Sequence, residues 1–462
     1  MPRIVRVAAK IAGATAGLVL VLLLVWIGIN LFDQPLSASA RAILATPPDP
    51  YPAADNVYVA LVGFDAPAGQ SIVTVGQERI DEHNRALARS LEEGHRGWVI
   101  GPPPRARKLE FKGQVDTGSL LISSMWGGAT DQRAQISALI DANRELYQRY
   151  LSLRGMHGYF VSAGPADSAA GFLAATSLHS LFLASTANGI QAGTPAQRQA
   201  AMSDLGQDMH LWETVLDGTG GMLAKVVAAQ ALHADLLLAG EMVTDPTCDL
   251  TFLRGRGDSL LAPFSLQDWK IGNAYEVEMR WEMPAMAAFS RGASHAPWPQ
   301  RAGTWLGRRF FKLHATENLE AQRTQRLRAL ADDDPTTYVA RRKEYDTWVR
   351  DNVSSGGFYN PVGKILLALS TINESFPAQV YDVAAFQRLV YLAYQMRVNR
   401  VPLADVAKFM AQHPQWSTHP IGGTPFRWDP ASARLAISPA GHEPPGRIFA
   451  LTLHEWPTQP RP

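Results

Sequence analysis

The sequence has little of the chemistry that crosslinks small secreted domains or binds nucleic acid. Cys248 is the single cysteine among 462 residues, which excludes an intramolecular disulfide and leaves histidine and carboxylate groups as the ligands for any metal. The net charge is +1, from 43 basic and 42 acidic residues, and no basic stripe that would neutralise phosphates is present. Nucleic-acid binding is therefore not expected, and stability has to come from an apolar core.

Low-complexity tracts and fixed-period repeats are also missing from the sequence. With 46% hydrophobic and 18% charged residues, the composition is that of a folded chain, long enough for one large domain or a few ordinary ones. Because no repeat keeps a constant period with consistent landmark residues, a recognised helical-repeat family is not expected.

One long apolar run is present near the start of the chain. From Ile11 to Phe32 no side chain is ionisable. As a helix this run is ~33 Å long, which matches a hydrocarbon core of ~30 Å, whereas signal-peptide cores are shorter, at ~7–15 residues. We therefore predict a retained transmembrane helix over residues 11–32. Ala38-Ser39-Ala40 has the small-x-small pattern of a signal-peptidase site, so cleavage after Ala40 remains the alternative.

The charges around the apolar run predict its orientation. Arg3, Arg6 and Lys10 precede the run, and the first charge after it is Asp33. The positive-inside rule then makes residues 1–10 a cytoplasmic tail. Whether the run is retained or cleaved, the rest of the chain is expected in the periplasm of a Gram-negative bacterium, as a single-pass inner-membrane protein.

The remaining sequence divides into three parts. Residues 33–55 are rich in Pro, Ala and Asp and predict a semi-rigid spacer. Residues 56–355 predict an α-helical periplasmic domain. Residues 356–462 predict a small C-terminal α+β module with a β-hairpin around Asp429-Pro430-Ala431-Ser432 and a frayed, Pro-rich tail. The expected fold is thus mainly α, with an irregular helical bundle or solenoid-like domain after the membrane helix.

Helical periodicity is clearest in the middle of the chain. One helix is expected across residues 131–155, with a buried face of Ile136, Ile140, Tyr147 and Leu151. A second apolar stripe recurs at helical spacing and ends before the glycine-rich break at residues 217–221; it consists of Leu205, Met209, Trp212 and Leu216. The helix that follows has Ala-rich faces on both sides, which predicts tight packing between neighbours.

Several segments resemble a group of uncharacterised, membrane-anchored proteobacterial proteins. The matching pieces are DNVYVALVGFDAPAGQ, DMHLWETVL with MLAKVVAAQALHADLLL, NPVGKILLALS and GGTPFRWDPASARLAI. The resemblance implies a helical, inner-membrane-anchored protein of Gram-negative bacteria. It transfers no catalytic residue.

Two short motifs suggest enzymes but lack the required context. Gly257-Asp258-Ser259-Leu260 spells a serine-esterase signature, yet no D-x-x-H segment follows Ser259 to supply the histidine base. Gly218-Thr219-Gly220-Gly221 with Lys225 does not satisfy the phosphate-loop spacing, because Ala224 and not glycine precedes the lysine. Helix termination by glycine explains the second motif.

One group of residues on two neighbouring helices has side chains that could ligate a metal ion. His210, Glu213 and Asp217 share a helical face, and His233 and Asp235 lie on the next helix. They would converge only in a suitable helical hairpin, and no H-E-x-x-H or paired E-x-x-H pattern is present. No catalytic, cofactor-binding or metal-ligating residue is therefore predicted, and no cofactor is expected.

The tryptophans give the remaining functional indication. Four of the 12 lie in Pro- and Gly-rich surroundings that predict loops, where indole rings stack on sugars or anchor partners; they are Trp298, Trp305, Trp416 and Trp428. The alternative is that they cover the core beneath loops.

The sequence favours a non-enzymatic envelope scaffold or partner-binding factor. Its partners would be the lipid bilayer, through residues 11–32, and an envelope protein. An envelope hydrolase acting on peptidoglycan, glycan or lipid is the first alternative. A periplasmic small-molecule or sugar sensor is the second.

Overall fold

The chain folds mainly into helices, with one small antiparallel sheet near its C-terminal end. The computed structural model describes residues 2–92, 109–113, 129–161, 169–253, 257–266, 269–291, 307–354, 357–370, 374–440 and 449–455. The mainly α fold class expected from the sequence is confirmed at this level.

The helices of the first half are α1 (Pro2–Ile29), α2 (Ala38–Leu44), α3 (Val57–Val62), α4 (Ile72–Glu92), α5 (Ala129–Ala142), α6 (Arg144–Leu153), α7 (Ala169–Ala192), α8 (Pro195–Asp217) and α9 (Met222–Thr244). Those of the second half are α10 (Gly257–Leu261), α11 (Asn273–Arg291), α12 (Leu313–Asp332), α13 (Tyr338–Val349), α14 (Pro361–Leu369), α15 (Phe376–Val398), α16 (Val406–Gln412) and α17 (Pro414–Ser417). A π-helical turn, Arg350–Ser354, extends α13.

The sheet has the strand order β1-β2-β3, with β1 at Arg427–Asp429, β2 at Arg434–Ala436 and β3 at Ala450–Thr452. Trp428 pairs with Leu435, which pairs in turn with Leu451. Leu435 and Leu451 are buried, so one face of the sheet joins the helical core, where β3 packs on α9.

Helix α9 lies at the centre of the core. It packs along α8, α15 and α7, and its residues are buried over most of its circumference. Leu205, Met209, Trp212 and Leu216 of α8 are all buried, which confirms the stripe expected from periodicity.

Two of the described helices are long and apolar enough to cross a membrane. One is Arg6–Ile29 within α1, whose most apolar window has no buried residue in the structure. The other is α9, but 67% of its window is buried inside the protein. The core helix of a soluble domain has this kind of burial, and α9 lies in the core of this protein.

The single helix expected across residues 131–155 is interrupted at Asn143. The buried side-chain amide of Asn143 donates to Lys112 O at 2.8 Å and to Leu139 O at 2.9 Å, and its oxygen accepts from Lys112 N at 2.7 Å. Asn143 thus ties residues 109–113 to the helices and separates α5 from α6.

Residues 33–44 lie against the body and are not a free spacer. The Asp33 carboxylate accepts hydrogen bonds from His314 N at 2.9 Å and Ala315 N at 3.1 Å, at the first turn of α12. Just beyond, α2 buries Ala40 and Ile43 against α11 and α12. The predicted spacer therefore differs from the structure here, because proline content does not reveal side chains that cap a distant helix.

Helix α3 is held by backbone contacts at glycines. A Cβ on Gly76 of α4 would lie 1.9 Å from Val59 O, and one on Gly171 of α7 would lie 2.0 Å from Leu61 O. A Cβ and a non-bonded oxygen cannot lie this close together. The two neighbouring helices therefore approach α3 only because these positions lack side chains. All six residues of α3 are buried as a result.

Gly76→Ala is expected to destabilise the fold by roughly 1–3 kcal/mol, because the methyl group forces α4 away from α3. The measurement is urea unfolding of the full-length protein in detergent micelles, followed by circular dichroism. Gly307→Ala is the control, since a Cβ there meets nothing within 4 Å. Equal midpoints for the two variants would contradict the close contact.

Candidate functional site

The C-terminal end of α1 is joined to the body by a set of contacts that we call the anchor junction: Trp26, Asn30, Phe310, Phe358 and Asn360. The indole of Trp26 stacks on Phe310, with ring centroids 4.3 Å apart, and its Nε1 donates to Phe358 O at 2.8 Å. Asn30 Nδ2 donates to the same oxygen at 2.7 Å, and Asn30 Oδ1 accepts from Asn360 N at 2.9 Å. Asn30 is buried, so α1 continues into the body without a flexible link.

Asn360 fixes the other side of the junction. It has a left-handed backbone with φ of 52°, a conformation that asparagine tolerates better than most residues. Its side chain accepts from Lys312 N at 2.8 Å and donates to Thr316 Oγ1 at 2.9 Å. The start of α14 is thereby attached to α12 and α1 together.

Large apolar side chains are exposed close to the anchor junction. Phe32 is 79% exposed and Phe358 is 75% exposed. On α14, Ile365 and Leu369 are exposed and lie four residues apart, which places them on one face of the helix. Phe358 adjoins the end of α1, because its carbonyl accepts hydrogen bonds from Trp26 and Asn30.

A second feature is a polar cluster in the middle of the helical core. We call it the His–Asp–Asp cluster: His179 of α7, Asp208 of α8 and Asp235 of α9. His179 Nε2 lies 2.8 Å from Asp235 Oδ1 and 3.3 Å from Asp208 Oδ2. None of the three is more than 4% exposed.

Two further side chains surround Asp208. The Tyr150 hydroxyl of α6 donates to Asp208 Oδ1 at 2.7 Å and is 2.9 Å from Oδ2. Trp212 Nε1 donates to Asp208 Oδ2 at 3.2 Å. Asp208 is therefore well supplied with donors, and four helices meet at the cluster.

Asp235 is less well supplied. Its Oδ2 is buried and accepts no hydrogen bond from the part of the chain that the structure describes. A buried carboxylate oxygen without a partner is costly, because water no longer solvates it. Burial accordingly raises the pKa of Asp235 well above its usual range.

The other members of the cluster respond to burial in the same sense. Burial, and next the charge of Asp235, raise the pKa of Asp208 to about 7. Burial lowers the pKa of His179. In each case the low-dielectric core disfavours the charged form of the side chain. Without a further partner, the core therefore favours the neutral form of all three side chains.

The metal-ligand residues considered in the sequence analysis do not come together at one site in the described part of the chain. His210 is exposed at the surface of α8, with its side chain 68% exposed. His233 packs against the rings of Phe386 and Phe449, at centroid distances of 5.0 Å and 4.8 Å. Only Asp235 of that set belongs to the His–Asp–Asp cluster.

His179 and Asp208 were missed by sequence reasoning, although a signal was present. Asp208 lies three residues after Leu205 and four before Trp212, so it shares the buried face of α8. His179 lies within a helix whose other residues are largely apolar or small. A charged group on an apolar face was the available indication.

The candidate tryptophans do not form a common site in the described residues. Trp416 is half-buried and stacks on His413, with centroids 4.6 Å apart. Trp428 is half-buried on β1 and lines a groove of about 480 Å³ together with Arg427 and Arg434. Trp298 and Trp305 lie outside the described residues.

The candidate topology residues are at the opposite end of α1 from the junction. Arg6 and Lys10 are exposed on α1, and Arg3 belongs to the same helix. The structure contains no membrane, so their role remains a prediction.

The glycine-rich break with Lys225 is a helix terminus. Buried Lys225, at the start of α9, donates through Nζ to the carbonyls of Leu216 and Gly218 at the end of α8. Burial lowers its pKa to about 7. The lysine satisfies carbonyl groups that a helix end otherwise leaves unpaired.

A buried histidine also attaches the C-terminal module. His419 Nε2 lies 2.9 Å from Asp382 Oδ1 of α15, and His419 Nδ1 accepts from Ile421 N at 3.0 Å. Because Nδ1 is an acceptor, Nε2 carries the ring proton and donates a hydrogen bond to Asp382. Asp382 Oδ1 also accepts from Ala440 N at 2.7 Å. This buried pair therefore consists of one imidazole and one carboxylate, and the carboxylate has two hydrogen-bond donors.

A scan against family models, a search of the curated proteins and a search of the solved structures each found no match to this chain. The anchor junction and the His–Asp–Asp cluster are the structural features that bear on function.

Asn30→Ala is expected to lower stability by about 1–3 kcal/mol, because it removes the hydrogen bonds to Phe358 and Asn360 inside a buried junction. Unfolding of the full-length protein in micelles measures the change. Asn399→Ala is the matched control, since Asn399 is exposed and its amide bonds only Gln395 O, one turn back, at 2.8 Å. If Asn30→Ala behaves like this control, α1 is not docked as described.

Proposed function

We propose that the protein is a single-pass protein of the Gram-negative inner membrane. Residues 11–32 anchor it, the N-terminus is cytoplasmic, and the body faces the periplasm as a non-enzymatic scaffold or partner-binding factor. The body would be an irregular helical bundle with solenoid-like parts, followed by an α+β module with a hairpin. This agrees with the resemblance to membrane-anchored proteobacterial proteins.

The observation that carries the proposal is the anchor junction. A long helix with no buried residue in its apolar window requires a lipid environment or another covering. Trp26 and Asn30 bind its outer end to the body through side-chain hydrogen bonds. These bonds fix the orientation of the body relative to the membrane helix.

Retention of the anchor is favoured over cleavage after Ala40. Cleavage there would remove Asp33, which caps α12, and Ser37, whose backbone N–H donates to Asn318 Oδ1 at 2.7 Å. It would also cut α2 at a fully buried residue. Residues 33–40 thus contribute to the fold of the body.

The junction also supports a body that lies directly at the bilayer surface. Phe358 contacts the last turn of α1 through its carbonyl and exposes its ring, and Phe32 is exposed just beyond the helix. Aromatic rings at this level are typical of the membrane interface. A scaffold held in this way presents the same face of its body to neighbours in the membrane plane.

A non-enzymatic role is supported by the closure of the His–Asp–Asp cluster, since a substrate has no access to side chains at most 4% exposed. The serine-esterase motif lies on the short helix α10, which carries Ser259, and its Asp258 accepts a hydrogen bond from Gln395 at 2.8 Å.

The sensor alternative has one specific observation in its favour. The groove at Trp428 combines an indole with two guanidinium groups, which suits a small anionic or sugar ligand.

Reporter fusions are expected to show the predicted topology. Alkaline phosphatase fused after about residue 60 should be active, because the positive charges before the anchor keep the N-terminus inside. β-Galactosidase should be active when fused near residue 10 and inactive near residue 60. Galactosidase activity at the second position would refute a periplasmic body.

Crosslinking in cells followed by affinity purification should recover a defined envelope protein with the full chain. A fragment of residues 1–55 is the control, since it carries the anchor without the body. The partner is expected with the full chain only. Failure to recover one under several growth conditions, or equal recovery with the fragment, counts against the scaffold.

A further inference from the structure

We propose that the His–Asp–Asp cluster binds one divalent transition-metal ion, which connects α7, α8 and α9 inside the core. This site goes beyond the anchoring and partner-binding role. It uses one imidazole nitrogen, from His179, and two carboxylates, from Asp208 and Asp235.

The geometry of the cluster matches a coordination shell. One ligand atom from each residue lies within 4.8 Å of the other two. With metal–ligand bonds of ~2.1 Å and angles of about 90–110°, neighbouring ligand atoms are roughly 3.0–3.4 Å apart. The distances from His179 Nε2, 2.8 Å and 3.3 Å, are within a few tenths of an ångström of that range.

The second observation is the unpartnered oxygen of Asp235. Its Oδ1 contacts His179, whereas its Oδ2 is fully buried and accepts nothing from the described residues. A metal ion supplies what this carboxylate lacks. Coordination removes the cost of desolvation without requiring another donor from the protein.

The charge of the site leads to the same conclusion. The Tyr150 and Trp212 donors to Asp208 are uncharged, so they do not supply the positive charge that two ionised carboxylates require in the core. A dication coordinated by both carboxylates supplies two positive charges and leaves a neutral centre.

The comparison with Asp382 and His419 shows why one buried pair needs no metal and the other does. Asp382 Oδ1 accepts from both His419 and Ala440 N, so a single carboxylate meets a single imidazole. The His–Asp–Asp cluster contains one additional carboxylate around the same kind of imidazole. This excess distinguishes the two sites.

The ligand set selects the class of metal. Ca²⁺ and Mg²⁺ prefer shells made entirely of oxygen, whereas Zn²⁺, Mn²⁺ and Fe²⁺ accept imidazole together with carboxylates. The site is closed to solvent, as structural metal sites are. Tyr150 and Trp212 would hold Asp208 in place as hydrogen-bonding supports of a ligand.

The test measures metal in full-length protein purified in detergent from cells grown with added Zn²⁺, Mn²⁺ or Fe²⁺, so that the ion is present during folding. Mass spectrometry is expected to find about one ion of one of these metals per chain. Asp235→Asn and His179→Gln should each reduce this content at least about tenfold. Circular dichroism checks that both variants remain helical.

Asp382→Asn is the matched control, because it alters a buried His–Asp pair that has only one carboxylate. It should retain the metal of the wild-type protein. Tyr150→Phe should reduce metal content under limiting metal and recover it when metal is in excess, as expected for a positioning residue.

Thermal unfolding gives an independent readout. Wild-type protein from metal-supplemented cells should unfold at a higher temperature than protein from metal-depleted cells, since an ion bound only by the folded state stabilises it. Asp235→Asn should show no such difference. The proposal is overturned if wild-type and Asp235→Asn proteins carry equal metal, or if wild-type stability does not depend on the metal supply. Neither result bears on the topology or the partner of the protein.

Discussion

The burial of α9 is the constraint on which the rest of the structure depends. This helix is apolar around most of its circumference, and α7, α8 and α15 cover it. Its few polar groups consequently need partners inside the protein, because water does not reach them. Lys225 binds the carbonyls that end α8, His233 packs against two phenylalanine rings, and Asp235 contacts His179. These three buried polar residues thereby restrict how the neighbouring elements can pack on α9.

Burial also distinguishes the two described helices that are long and apolar enough to span a membrane. The most apolar window of α1 has no buried residue, and Trp26 and Asn30 near its C-terminal end bind the body. Helix α9 instead buries the ionisable residues Lys225, His233 and Asp235, and 67% of its apolar window is buried. Helix α1 is the more apolar of the two, and burial inside the protein distinguishes them further. An apolar helix that other helices cover over most of its surface belongs to a core.

Much of the helical framework could be predicted because helical periodicity is local. The stripe from Leu205 to Leu216 repeats at helical spacing and is buried as expected. The features that were not predicted depend on residues far apart in sequence. Asn143 interrupts a helix because it binds Lys112, and Asp33 docks the supposed spacer because it caps α12. The His–Asp–Asp cluster needs three helices to pack in register, and no spacing within one helix shows that His179 and Asp235 face each other. Periodicity indicated which face is buried, but not which polar residues meet there.

The anchor junction and the His–Asp–Asp cluster hold different helices together. Asn360 and Asn30 connect α1 to the starts of α12 and α14, so the orientation of the body relative to the anchor is set by buried hydrogen bonds. Breaking those bonds would free the body without removing its core. The cluster lies within α6–α9, where a change of charge alters the stability of the core but leaves the junction intact. Docking of α1 onto the body and integrity of the core therefore rest on different side chains and different helices.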